Sequence, residues 1–136
     1  MIGRRFCGPP NSGNGGYVCG VLAGAMDGPV TAVLRAPVPL EAELRLESRD
    51  GGVALLGNEA TLIGEASPAA QALPQPPMAP SLDQARAASA RHAGHGQRIH
   101  PICFTCGPER GEGDGLRVFP GQLEAAPAGH VACDWT

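Results

Sequence analysis

The chain has 136 residues, 43% of them hydrophobic, and a formal net charge of -3, which is enough for one compact domain, or for one domain and part of a second. It has no lysine, and its ten basic residues are scattered arginines with no interleaved aromatics, which argues against a nucleic-acid partner. The longest apolar run, residues 18–26, is interrupted by glycine and too short for a bilayer, and no apolar stretch directly follows Arg4-Arg5. Neither a membrane association nor a secretory signal is expected, and a cytoplasmic location is the default.

The five cysteines, Cys7, Cys19, Cys103, Cys106 and Cys133, are odd in number. Without an export signal this argues for reduced thiols rather than a disulfide framework.

In chain order, Arg4 to Cys7 reads as a short strand running into a glycine- and proline-rich turn, Gly8 to Gly16. Prolines fix part of that backbone and glycines free the rest. Residues 17–26 read as a helix, because Val18, Val21, Leu22 and Ala25 share one face. Gly16, Gly20 and Gly24 form a second stripe, expected where another backbone packs closely. With almost no polar face, this helix is predicted to be buried all round.

Val30 to Arg35 is a β-rich run ended by Pro37 and Pro39. From Glu41 to Glu47 the pattern alternates: Ala42, Leu44 and Leu46 on one face, Glu43, Arg45 and Glu47 on a solvated one. Asp50-Gly51 supplies hairpin turn chemistry. Val53 to Leu56 returns as a strand, Gly57-Asn58 marks a turn or bulge, and Thr61 to Ala66 continues the sheet.

Ser67 to Pro80 reads as a linker rich in Pro, Ala and Gln. Ser81 precedes Asp83 and Gln84 as a helix start signal, with an alanine-rich helix to Arg91. His100 to Gly107 is compact and carries two cysteines. Asp114 to Pro120 and His130 to Trp135 are candidate strands. The organisation expected is therefore a core over residues 1–67, a linker with a short helix over 68–99, and a Cys-x2-Cys segment with strands over 100–136. The fold class is α+β: a hotdog-like antiparallel sheet wrapped around one central apolar helix.

Two segments carry a family resemblance. The first is Phe6-Cys7-Gly8-Pro9-Pro10-Asn11-Ser12-Gly13-Asn14-Gly15-Gly16-Tyr17-Val18-Cys19-Gly20, with Leu34 to Leu40 downstream. The second is His100-Pro101-Ile102-Cys103-Phe104-Thr105-Cys106-Gly107-Pro108, continuing through Gly113 to Gly121. Both resemble hotdog-fold, acyl-CoA thioesterase-like proteins built from two tandem hotdog units. The resemblance implies hydrolysis or binding of a small-molecule acyl thioester, with coenzyme A entering as part of the substrate and no separate cofactor. It implies a homodimer with the site near the subunit boundary.

By the same resemblance, the helix start at Asn14, Gly15 and Gly16 stabilises the oxyanion, and Asn11, Ser12, Gly13 and Tyr17 contact substrate or water. Free helix N–H groups and the helix dipole favour negative charge there on general grounds. The chain departs from the family in one respect. No acid lies between Gly8 and Met26, whereas many such enzymes carry one on or just before the helix. The resemblance also implies a second unit cut short at Trp135-Thr136, so that the acid comes from a missing half or a partner subunit.

Other readings compete. Gly8–Tyr17 can be only a connection that lets the helix enter the sheet; a phosphate-binding loop is excluded, since no Lys-Ser or Lys-Thr follows the glycines. The helix that lacks an acid also fits a non-catalytic acyl- or CoA-binding or dimerisation module. His100, Cys103 and Cys106 have metal-ligand spacing, with Cys133, His130, His95 or Cys7 as a fourth ligand; against this stand a tight turn with buried thiols and a redox pair. Tyr17 fits a core position with its hydroxyl at the rim, Trp135 a packed or interface position, and His92, His95 and His130 solvent.

Overall fold

The computed structural model describes residues 1–70, 75 and 79–135. It divides the chain into two compact units, Met1–Leu73 and Pro74–Thr136. Among the described residues no helix is long and apolar enough to cross a membrane.

The first unit is α+β. Helix α1 (Gly15–Ala23) is followed by strands β1 (Val30–Leu34), β2 (Arg45–Arg49), β3 (Gly52–Leu56) and β4 (Leu62–Pro68). The strands form one antiparallel sheet in the order β1-β4-β3-β2, and α1 packs on β1, β3 and β4. β2 and β3 are joined at Asp50-Gly51, where Gly51 takes the left-handed φ of 75° that the turn requires. Gly57 to Thr61 is a tight turn, with Glu59 and Ala60 both at positive φ.

Three glycines within α1 make it a weak helix by propensity, so tertiary packing has to hold it. Asn14 caps its start, its side-chain oxygen accepting from the Tyr17 N–H at 3.0 Å. Val18 and Leu22 are fully buried in a core with Ile2, Val38, Val53, Leu55 and Ile63. Truncating Leu22 to alanine would cost about 3 kcal/mol.

The expectation of a helix buried all round is corrected. Gly16, Gly20 and Gly24 lie opposite Val18 and Leu22 and are exposed, and a Cβ added at Gly20 would meet nothing within 4 Å. The close approach between helix and sheet occurs instead at Gly64 on β4. A Cβ there would lie 2.9 Å from Leu34 Cδ2 and 3.2 Å from Leu22 Cδ1. Large side chains win the buried face because they remove the most apolar area from water.

The strand expected over Glu41–Glu47 forms only from Arg45 onward, and its burial does not alternate as expected, since Glu47 is the half-buried residue of β2. Leu46 pairs with Leu55 on the inner face, yet stays 43% exposed because β2 is an edge strand. On the other face Arg35 pairs with Glu65 at 2.6 Å and Arg45 with Glu47 at 3.3 Å. These are exposed pairs worth little individually.

The strand expected at Arg4–Cys7 is a short 3-10 turn over Arg4–Phe6, closed by Phe6 N–H to Gly3 O at 2.9 Å. Only Cys7 makes a bridge, to Gly13.

The second unit holds α2 (Leu82–Ser89), α3 (Gly94–Gln97) and a two-stranded ribbon, β5 (Gly121–Gln122) with β6 (Val131–Ala132). α2 starts with a full capping box between Ser81 and Gln84. It packs on both strands, and Ser89 Oγ donates to Asp134 at 2.8 Å. The described residues from 81 to 99 fall within this unit. Residues 71–74 and 76–78 of the expected linker lie outside the described residues. The strands expected at Asp114–Pro120 and His130–Trp135 shrink to β5, which lies beyond the first, and β6. Leu116 and Val118 still donate to Phe104 and Thr105, each at 2.8 Å, but Phe104 and Thr105 lie in a turn and no ladder forms.

Candidate functional site

The turn before α1 is built from its own backbone. Gly8 N–H donates to Ser12 O at 2.9 Å, and Ser12 N–H to Pro9 O at 3.1 Å. Its far side is tied to Val38 twice: Gly13 N–H donates to Val38 O at 2.9 Å, and Val38 N–H to Ser12 Oγ at 3.2 Å. A Cβ at Gly13 would crowd Val38, lying 3.0 Å from its Cγ1. Asn14 N–H donates to Phe6 O at 2.7 Å, which clamps the turn to the preceding segment.

These bonds sort the site residues expected from sequence. Ser12 and Gly13 are engaged by Val38, and Asn14 is buried, its amide held by Phe6 and its side-chain oxygen by Tyr17. Each supports the turn. Asn11 is exposed. Tyr17 is half-buried, its N–H is taken by Asn14, and its ring stacks on Phe6 at 3.9 Å between centroids, tilted by 9°. Val18 N–H is the first inside the helical pattern, donating to Asn14 O at 3.0 Å.

That leaves Gly15 and Gly16, the first two helical residues. Neither N–H makes a hydrogen bond among the described residues. Gly15 is half-buried and Gly16 exposed. Their amides are two of the four donors that every helix start leaves without intrahelical partners, and they sit at its positive end. The arrangement can receive one partly negative oxygen.

Arg5 and Phe6 were not among the residues expected to matter. The Arg5 guanidinium lies 5.9 Å from the Phe6 ring centroid, so a cation, Phe6 and Tyr17 are layered beside the helix start. The sequence signal was the juxtaposition Arg5-Phe6 immediately before the turn.

Hollows of about 580 and 390 Å³ lie in the second unit, and hollows of about 270 and 230 Å³ lie on the sheet of the first; none is lined by residues 8–17. The largest of these is lined by Glu112, Leu116, Arg117, Phe119 and Trp135, among others. Trp135, expected to be packed or at an interface, is 70% exposed at its edge.

The metal reading of His100, Cys103 and Cys106 is not met: among the described residues no three His, Cys, Asp or Glu side chains are gathered to hold an ion. His100 is exposed, and its carbonyl accepts from Cys103 N–H at 3.1 Å. Cys103 and Cys106 do meet. Burial pushes the Cys106 thiol up to about 11, with its hydrogen bond to Cys103 and the charge of that sulfur acting in the same direction. His92 is half-buried, its Nδ1 2.8 Å from Pro120 O, and His95 lies 4.8 Å from the Phe119 ring.

Comparison with known proteins finds no matching family model, no matching curated protein and no matching solved structure.

Proposed function

We propose that this chain is a hotdog-fold, acyl-CoA thioesterase-like protein whose Gly15 and Gly16 amides receive the carbonyl oxygen of an acyl thioester. One observation carries the reading: two adjacent N–H groups are left open at the start of an apolar helix while the amides on either side are consumed. Donors held in place before the reaction stabilise an oxygen as it gains charge, with no reorganisation at that moment. One apolar helix laid on a four-stranded antiparallel sheet is compatible with a hotdog unit. Arg5 beside Phe6 supplies positive charge suited to the phosphates of coenzyme A, which enters as part of the substrate. Asn11 is exposed for contact with ligand or water, and Tyr17 flanks the donors. In this reading the protein is a cytoplasmic homodimer, and a second copy encloses a site that is open in one chain.

Hydrolysis also needs a base, and residues 8–26 contain no acid. That absence favours a second reading, a binding module that holds acyl-CoA without turnover.

The test uses the full chain with acyl-CoAs of several chain lengths, binding measured by calorimetry and free CoA by chromatography. Gly15→Pro removes one donor and keeps the helix, because proline suits the first helical position and Asn14 already has the ψ of 125° that a following proline requires. Binding should weaken about fivefold, the worth of one hydrogen bond. If the chain turns over, kcat should fall about a hundredfold. Wild-type binding without CoA release selects the binding module. No binding to any acyl-CoA rejects both readings.

A further inference from the structure

The Cys-x2-Cys turn in the second unit is held more tightly than its short length requires. Gly107 N–H donates to Cys103 O at 2.8 Å, closing one turn of backbone around the two cysteines. Gly107 admits no side chain: a Cβ would lie 2.5 Å from Cys103 N and 2.6 Å from Pro101 O. Gly115 is similar, its Cβ position lying 2.7 Å from Phe104 O. The Arg110 side chain is 8% exposed. Its Nε donates to Ile102 O at 2.7 Å and its Nη1 to Asp114 Oδ2 at 3.0 Å. Leu116 and Val118 bind the carbonyls of Phe104 and Thr105. The backbone between the sulfurs is therefore fixed on both sides.

Within that frame the Cys106 thiol is hydrogen-bonded to Cys103. Cys103 is buried and Cys106 half-buried. Most of the entropy of bringing the sulfurs together has already been lost in folding.

We propose that Cys103 and Cys106 form a dithiol site that reacts with small-molecule disulfides and closes to an intramolecular disulfide. In the first step Cys106 Sγ loses its proton to water and attacks one sulfur of the small disulfide. That S–S bond breaks, a bond from Cys106 Sγ to the attacked sulfur forms, and the released thiolate takes up a proton. In the second step Cys103 Sγ loses its proton and attacks Cys106 Sγ. The Cys103–Cys106 bond forms, the second small thiolate leaves and is protonated. Two protein thiols are oxidised by two electrons, and one small disulfide is reduced to two thiols. Cys106 acts first because it is the more accessible sulfur, and Cys103 resolves the mixed disulfide from beneath.

The experiment equilibrates the full chain with mixtures of reduced and oxidised glutathione, quenches with acid, alkylates the remaining thiols and maps every linkage by peptide mass spectrometry. A Cys103–Cys106 link within one chain is expected, with a midpoint at least about tenfold lower in oxidised glutathione than that for mixed-disulfide formation at Cys19 or Cys133. In Cys103→Ser, Cys106 should accumulate as a mixed disulfide with glutathione, and only at the higher ratio. A link between two chains, a link to another cysteine, or oxidation of the pair together with the single thiols would overturn the proposal. If Cys103→Ser does not fold, the wild-type linkage map decides alone.

Discussion

Glycines at the start of α1 and in the Cys-x2-Cys turn stand in opposite surroundings. At the start of α1, Gly15 is half-buried and Gly16 exposed. A Cβ at Gly16 would meet only Asn14 Oδ1, at an ordinary 3.5 Å. In the Cys-x2-Cys turn, Gly107 exists because backbone already fills the place of a side chain. A side chain could be added at the first glycines at ordinary contact distances, whereas at the second the chain's own backbone already fills the place. Glycine content alone does not separate these cases; what the missing Cβ would touch does.

The largest expected effect concerns the covered turn. Its burial raises the Cys106 thiol from 9.0 to about 11, and the thiolate is the reactive form. Iodoacetamide should therefore alkylate Cys106 roughly a hundredfold more slowly than free cysteine near pH 7. The rate should climb with each pH unit and level off only above about 11. Equal rates near pH 7 would mean that the turn is open. Gly107→Ala comes next: with backbone at 2.5 Å the turn must shift, at a cost of about 3 kcal/mol in a denaturant melt. Gly64→Ala meets the end of a flexible Leu34 side chain as well as Val33 O, and should cost about 2 kcal/mol. Asn14→Ala removes the cap of α1 and should cost about 1 kcal/mol. Smallest, and opposite in sign, Gly20→Ala should stabilise by up to about 1 kcal/mol, because the position is helical and empty outside. A loss at Gly20 would show that the outer face of α1 is covered after all.

The sequence announced its local features well. Ser81 with Gln84, Asp50-Gly51, and the Val18–Leu22 spacing each encode a local interaction that forms wherever the segment is placed. What it did not show was which face of α1 is covered. Periodicity says which residues share a face, and on an all-apolar helix both faces look eligible. The buried face follows from Val18 and Leu22 meeting Leu55 and Ile63, contacts far apart in sequence. Arg4–Cys7 failed as a strand for a similar reason, since Phe6 closes a turn and stacks on Tyr17.

The candidate site was half legible. Gly8–Tyr17 stood out as a segment. Ser12 and Asn14, however, look in sequence like residues that face a ligand, and they are occupied by Val38 N–H and Tyr17 N–H. Polar side chains in a turn serve backbone or ligand equally well, and only the fold decides.

The account rests on Gly15 and Gly16 as donors to a carbonyl oxygen. The direct measurement is the amide spectrum of 15N-labelled full chain as an acyl-CoA is titrated in. Gly15 and Gly16 should show the largest downfield proton shifts, while Gly13 and Asn14, already bonded inside the chain, should move little. If the ligand binds and those two amides stay in place, or if the largest shifts fall in the second unit, the oxygen is not received at the start of α1.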